Sequence, residues 1–270
     1  MDKFFNLNAR VGLCILFLSL SNFVGFAQTK KLEVHAHRGG AGLYPENSIV
    51  AMLNAVAMGV RTLELDLHIT ADDRVVVIHD PYFTSAKNLA PGGEMIDTGS
   101  KMRHVVYELK YDVVKEYDVG IIPQKDFPTR QNIGARVPLL SQLIDEVEAY
   151  TRKYNLTPVR YNIEIKSNSF KDDRLRPTYD KFPDLAMAII NQKGIADRVI
   201  IQSFDVRTLE HMHKFYPNVA LSYLVGRGGS FERDMAKLSF LPQIYSPNYK
   251  KVNQKMVERA HLWGVKVIPW

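Results

Sequence analysis

The feature that most constrains this chain is a repeated switch in hydrophobic period. Short β-rich apolar runs fall at 32–37, 62–68, 160–166, 198–204, 219–225, 243–248 and 265–270. Between most of them the apolar residues recur at helix spacing, over 48–58, 139–154, 183–193, 206–215 and 253–263. Strands alternating with helices build a parallel sheet or barrel, because the helix is the crossover that returns the chain to the same edge. Asn47-Ser48 supplies a helix cap. Gly59, Gly194 and Gly264 fall just past helix ends, where a left-handed backbone is wanted.

One connection breaks the rule. The run Leu65-Asp66-Leu67-His68-Ile69-Thr70 passes through Ala71-Asp72-Asp73 into Arg74-Val75-Val76-Val77-Ile78-His79-Asp80. That gap is too short for a crossover helix, so the second run folds back as a hairpin over the end of the first. Residues 81–137 then follow no period. A stretch of that length in a compact domain is functional or an inserted subdomain, and it is expected to cap the site. Seven parallel strands are expected, the last ending on Pro269-Trp270. An eight-stranded barrel needs one strand more, so either the fold is not that barrel or the chain is cut short of its closing strand.

The first 27 residues are of another kind. Lys3 and Arg10 precede the apolar stretch 11–24, and Gly25-Phe26-Ala27 follows with small residues two apart. This is the layout of a secretory signal peptide cleaved after Ala27, and it is short for a membrane span of about 20 residues. A secreted or periplasmic domain at 28–270 is expected, without a stable membrane span. The single cysteine, Cys14, lies inside the leader. The mature chain then has no thiol, which excludes disulfides and cysteine metal sites. Cleavage removes two basic residues and one acidic residue, so a net charge of +6 becomes +5. That mild bias suits an anionic substrate. No dense Lys/Arg run with interleaved aromatics is present, so nucleic acid is not an expected partner.

Four strand ends carry polar residues, three of them as pairs two apart: His35 and His37, Glu64 and Asp66, Glu164 and Lys166, and Gln202 near Ser203. Residues i and i+2 share a strand face. In a barrel these carboxyl-terminal strand ends converge on one space. Glu64, Asp66 and Glu164 together would repel unless a hard divalent cation joined them, and Ca²⁺ and Mg²⁺ prefer oxygen ligands. Histidines supply acid and base near neutral pH. Arg38 and Lys166 supply fixed positive charge for an anionic oxygen. A metal, proton-transfer groups and fixed cations in one place describe phosphoryl chemistry.

The full set resembles the glycerophosphodiester phosphodiesterase family. The resemblance rests on His37-Arg38-Gly39, Pro45-Glu46-Asn47-Ser48, Glu64-Leu65-Asp66, Thr70-Ala71-Asp72, Val75-Val76-Val77-Ile78-His79-Asp80, Glu164-Ile165-Lys166, Gln202-Ser203-Phe204 and Trp270, in that order and at similar spacing. It implies a TIM-type (β/α)8 barrel with an insertion after the second strand. It implies metal-dependent hydrolysis of glycerophosphodiesters to sn-glycerol 3-phosphate and an alcohol, by attack of a substrate hydroxyl and opening of a cyclic phosphate by water. By motif position, His37 and His79 are implied as the general acid/base pair, with the order of their roles left open. Glu64, Asp66 and Glu164 hold Ca²⁺ or Mg²⁺. Arg38 and Lys166 contact phosphate, and Trp270 walls the pocket.

Other readings stand beside this one. The same core residues would serve a phospholipase D-like or lyase activity on intact lipids. A His-x-His at the first strand end, His35 and His37, also marks zinc amidohydrolases, but those need histidines where this chain has Lys166, Gln202 and Asn248. A headgroup binder without catalysis would not need so complete a set. His35 is expected to support the core, and His68 to sit at the hairpin surface or substrate rim. His211 and His213 lie on a helix and point apart. Phe83 and the tyrosines at 44, 82, 107, 111 and 117 could line an alcohol-binding pocket, but the core of segment 81–137 is the expected place for them. Gly226-Arg227-Gly228-Gly229 lacks a P-loop pattern and reads as a strand–helix loop.

Overall fold

A computed structural model describes residues 32–97, 99, 104–170, 172–226 and 229–270. The expected leader and Arg227-Gly228 lie outside the described residues. The unit that carries the strands is Glu33–Trp270.

Among the described residues eight strands form one sheet, and seven of them are parallel: β1 (His35–Ala36), β2 (Thr62–Ile69), β4 (Arg160–Ile165), β5 (Val199–Ser203), β6 (Ala220–Val225), β7 (Ile244–Pro247) and β8 (Lys266–Val267), in that order across the sheet. The sheet curls into a half-barrel. β3 (Val75–Val77) pairs antiparallel with the end of β2, Leu67 opposite Val77 and Ile69 opposite Val75, which is the expected hairpin. The helices are α1 (Ile49–Ala57), α2 (Tyr111–Val114), α3 (Leu140–Lys153), α4 (Lys181–Gln192), α5 (Val206–Phe215), α6 (Phe231–Met235) and α7 (Gln254–Leu262). At four and five residues, α2 and α6 are too short to show a helical period in sequence. Among the described residues no helix is long and apolar enough to cross a membrane.

Two strands are shorter than the apolar pattern suggests. β1 leaves the extended form at His37, because the chain turns through a 3-10 element at His37–Gly39. β8 is two residues long, yet its pairing runs on: Ile268 N donates to Tyr245 O at 3.0 Å and Trp270 N to Pro247 O at 3.0 Å. Pro269, between them, has no N–H to give.

Strand alternation divides the sheet into two chemically opposite faces. Leu63, Leu65, Leu67, Ile163, Ile165, Ile201, Leu221 and Tyr245 join the helices in the main apolar core, with Met52, Val56, Leu143, Phe182 and Leu209 among the facing side chains. The residues between them in sequence, Glu64, Asp66, Asn162, Glu164, Gln202, Ser222 and Ser246, are polar and buried. A second, smaller core lies within 76–139. Val76, Ile78, Val106, Val114 and Val137 gather around Phe83 and Tyr117, whose rings stack 3.8 Å apart. Phe83 and Tyr117 thus fill the core, and Tyr82 lines a cavity, the other place open to these aromatics.

Candidate active site

The site is built where β1, β2, β4 and β5 end. Parallel register sets Asp66 opposite Glu164, and Glu164 opposite Gln202. Glu64, Asp66 and Glu164 each offer an oxygen within 4.8 Å of the others. All three are buried, Asp66 at 1% exposure. Gln202 Nε2 donates to Glu64 Oε1 at 2.9 Å. Lys166 Nζ lies 3.0 Å from Asp66 Oδ1 and 2.9 Å from Glu164 Oε2.

Electrostatics follow from that crowding. Burial and the Asp66 charge push Glu64 well above the ordinary carboxyl range. Burial also pushes Glu164 up to about 7, against the pull of Lys166. Asp66 feels the same burial, but Lys166, His79 and Arg38 hold it below the usual carboxylate range. Lys166 is held charged by Asp66 and Glu164 despite its own burial. Three acidic groups competing for too few cations form a set of hard oxygen donors that fits a divalent ion.

The turn after β1 brings the second half of the site. Arg38 has φ +52° and Gly39 φ +77°. Gly39 also lies against α1, where an added Cβ would meet Met52 Sδ at 2.9 Å and Met52 N at 3.0 Å. Only glycine satisfies both conditions. The turn lets Arg38 N donate to Glu64 Oε2 at 2.7 Å, while its Nη1 donates to Glu46 at 2.8 Å. Asn47 was expected to share the cap of α1. Ser48 alone caps it, accepting from Ala51 N at 3.2 Å. Asn47 instead clasps β2: its Nδ2 donates to Asp66 Oδ2 at 2.8 Å, and its Oδ1 accepts from Asp66 N at 3.1 Å.

His79 arrives from the hairpin. Its Nδ1 lies 2.7 Å from Asp80 Oδ1, and Lys87 Nζ donates to the other Asp80 oxygen at 2.8 Å. Asp80 is pulled below its ordinary range by His79 and Lys87, against burial. Burial and the nearby Arg38 charge lower His37. His68 was expected at the rim, but it is fully buried. The folded-back β3 segment covers it, and its Nε2 meets the His79 carbonyl at 3.1 Å. Burial drops it to about 3, so it stays neutral. His35 supports the floor beside Asn162.

Two cavities meet at a wall formed by His37, Arg38 and His79. The barrel cavity, about 480 Å³, adds Glu64, Glu164, Lys166, Phe204 and Trp270. The cap cavity, about 230 Å³, adds Tyr82, Lys87, Asp126 and Arg130. Seven of the eight site residues named from sequence line the barrel cavity, and Asp66 lies beneath it, tied to Lys166 and Asn47. Lys87 and Arg130 were not read from sequence, because they sit in aperiodic loops with no motif around them. Asp80 stood beside a named histidine, and its role shows only as a contact.

The chain matches the model of the glycerophosphoryl diester phosphodiesterase family over residues 37–270. A glycerophosphodiester phosphodiesterase of Caldanaerobacter subterraneus subsp. tengcongensis is 28% identical over 240 residues, covering 89% of this chain and 85% of that one. A crystal structure from Silicibacter pomeroyi, assigned provisionally as a glycerophosphoryl diester phosphodiesterase, superposes with TM-score 0.77 and 25% identity, covering 88% and 82% of the two chains. An Oleispira antarctica phosphodiesterase solved with sn-glycerol-3-phosphate superposes with TM-score 0.68 at 18% identity, covering 88% and 84%.

Proposed function

Because the chain belongs to the glycerophosphoryl diester phosphodiesterase family and is a hydrolase of glycerophosphodiesters, we infer that it acts with a divalent metal and a histidine pair at the site described. The observation that carries this reading is the buried trio Glu64, Asp66 and Glu164 facing the wall of His37, Arg38 and His79. The trio would hold Ca²⁺ or Mg²⁺, which when bound supplies positive charge to a phosphoryl oxygen. Arg38 and Lys166 orient the phosphate from either side. His37, kept neutral by burial and Arg38, accepts the proton of the attacking hydroxyl. His79, with Nδ1 turned to Asp80, presents its other nitrogen to the departing alcohol oxygen and gives it a proton.

The rest of the organisation belongs to the same reading. Residues 81–137 are an insertion after the second barrel strand, with their own small core, and they cap the site. Residues 1–27 direct export, which sets the enzyme to release glycerol 3-phosphate and alcohols outside the cytoplasm. The test is glycerol 3-phosphate release from glycerophosphocholine by residues 28–270, with Ca²⁺ or Mg²⁺, with EDTA, and with His37→Ala. Turnover that EDTA and the variant both abolish supports the assignment. Turnover indifferent to either removes the metal or the histidine from it.

A further inference from the structure

Arg130 lies in the cap segment and is 6% exposed. Its Nη2 donates to Ile122 O at 2.7 Å, Gly120 O at 3.2 Å and Asn132 Oδ1 at 3.0 Å, and its Nε donates to Asn132 Oδ1 at 3.1 Å. Those bonds staple the turn over 120–132. They leave Nη1 with no acceptor among the described residues, and no carboxylate there comes within ion-pair distance of the guanidinium. A buried cation without a counter-charge is costly, and a buried anion beside it would offset that cost. The other arginine at the wall, Arg38, has both Glu46 and Asp66. Of the two arginines that line the cap cavity, Arg130 is the one without a carboxylate within ion-pair distance among the described residues.

That cavity has one more unpaired charge. Asp126 is exposed on its rim and makes no ion pair among the described residues. Glu46 and Asp80, by contrast, are already held by Arg38 and Lys87. One free guanidinium edge and one free carboxylate share a space of about 230 Å³. This is below the ~300 Å³ at which pockets for larger ligands begin, and it suits a small alcohol carrying both charges.

We propose that the cap cavity is the subsite for the leaving alcohol, and that Arg130 selects alcohols bearing a carboxylate, of the hydroxy amino acid class. The proposal rests on the phosphodiesterase reading: the phosphate sits at the wall of His37, Arg38 and His79, so one arm of the diester occupies each cavity. The carboxylate trio and Lys166 claim the glycerol phosphate arm on the barrel side. The remaining arm enters the cap, where its carboxylate meets Arg130 Nη1 and its ammonium meets Asp126.

Glycerophosphoserine and glycerophosphoethanolamine differ only by that carboxylate, so they isolate the interaction. With the wild-type chain, kcat/KM is expected to favour the serine diester by about tenfold or more, the worth of one hydrogen bond between charged groups. Arg130→Met is expected to remove the preference, read as the ratio of kcat/KM for the two diesters within the same variant, while Arg130→Lys retains part of it. Calorimetric binding of both diesters without added metal reads the pocket apart from turnover. Serine-selective binding with no hydrolysis of either diester keeps the subsite and overturns the phosphodiesterase reading. Hydrolysis of both with no serine preference in the wild type overturns the subsite and keeps the enzyme. The wild-type ratio decides this even if Arg130→Met loosens the cap.

Discussion

Two buried groupings of acid and lysine among the described residues behave in opposite ways. One is Asp234 on α6, fully buried, which accepts from Tyr245 Oη at 2.7 Å, Lys237 Nζ at 2.9 Å and Lys251 Nζ at 3.1 Å. Burial raises this carboxyl, but Lys237, Tyr245 and Lys251 outweigh it and the group stays below its ordinary range. The other is the strand-end trio, where burial wins and two of three carboxyls are pushed up. The components are alike; the ratio differs. A single acid surrounded by donors is finished by the protein and serves structure, tying α6 to β7. Three acids sharing Lys166 and Arg38 are left short of positive charge, the shortage that the proposed divalent ion would answer.

The largest effect that would break this contrast is on turnover. Glu64→Ala should lower kcat/KM on the order of 10³-fold or more, as losing a charge-stabilising group does, while melting temperature holds or rises because like charges are relieved. A drop in both would make the trio structural. Asp234→Asn should do the reverse. Breaking a satisfied buried pair costs about 3 kcal/mol, or roughly 6–12 °C in melting temperature for a chain of this size, with kcat/KM changed less than about twofold. Differential scanning calorimetry beside steady-state kinetics checks both variants. Next, Ca²⁺ or Mg²⁺ should stabilise the wild type by about 2.7 kcal/mol at a hundredfold excess over Kd, and Glu164→Gln should abolish that stabilisation. Metal-induced stabilisation that survives the substitution would place the ion elsewhere.

The smallest effect is one of pH. Asp234 titrates lower folded than unfolded. Below its unfolded value of about 3.9 the unfolded chain binds a proton that the folded site refuses. Its contribution is thus whole above that pH and is lost as pH falls through the folded value. Wild-type stability should fall more steeply below about pH 4 than that of Asp234→Asn. Parallel curves for the two would show that the lysines do not hold the charge.

The alternating periods made the strand order and the apolar outer face legible, because burial on a sheet leaves a period in the sequence. The strand-end pairs made the trio legible for the same reason, since Glu64 and Asp66 share a face with an even spacing. What could not be read were contacts without a period. Asn47 looks like a helix cap, because Asn before Ser and an apolar helix is a common start; only the fold shows its amide turned onto Asp66. His68 has the spacing of a site residue, and only the return of β3 above it shows why it is buried. Lys87 and Arg130 reach the site from irregular backbone, where sequence position carries no direction.

The hydrogen bond from Gln202 to Glu64 joins residues 138 positions apart, whereas Asn47 and Asp66 are separated by 19. Closing the longer loop costs more chain entropy, and contacts between distant residues slow folding. Synthesis proceeds from the N-terminus, so a chain leaving the ribosome can seat the Asn47 clasp on Asp66 while Gln202 is not yet made. Glu64 waits for the fifth strand to be oriented. Until then the emerging half-site is an acidic face without its neutral donor, and the trio gains that donor only when more than two hundred residues have been joined.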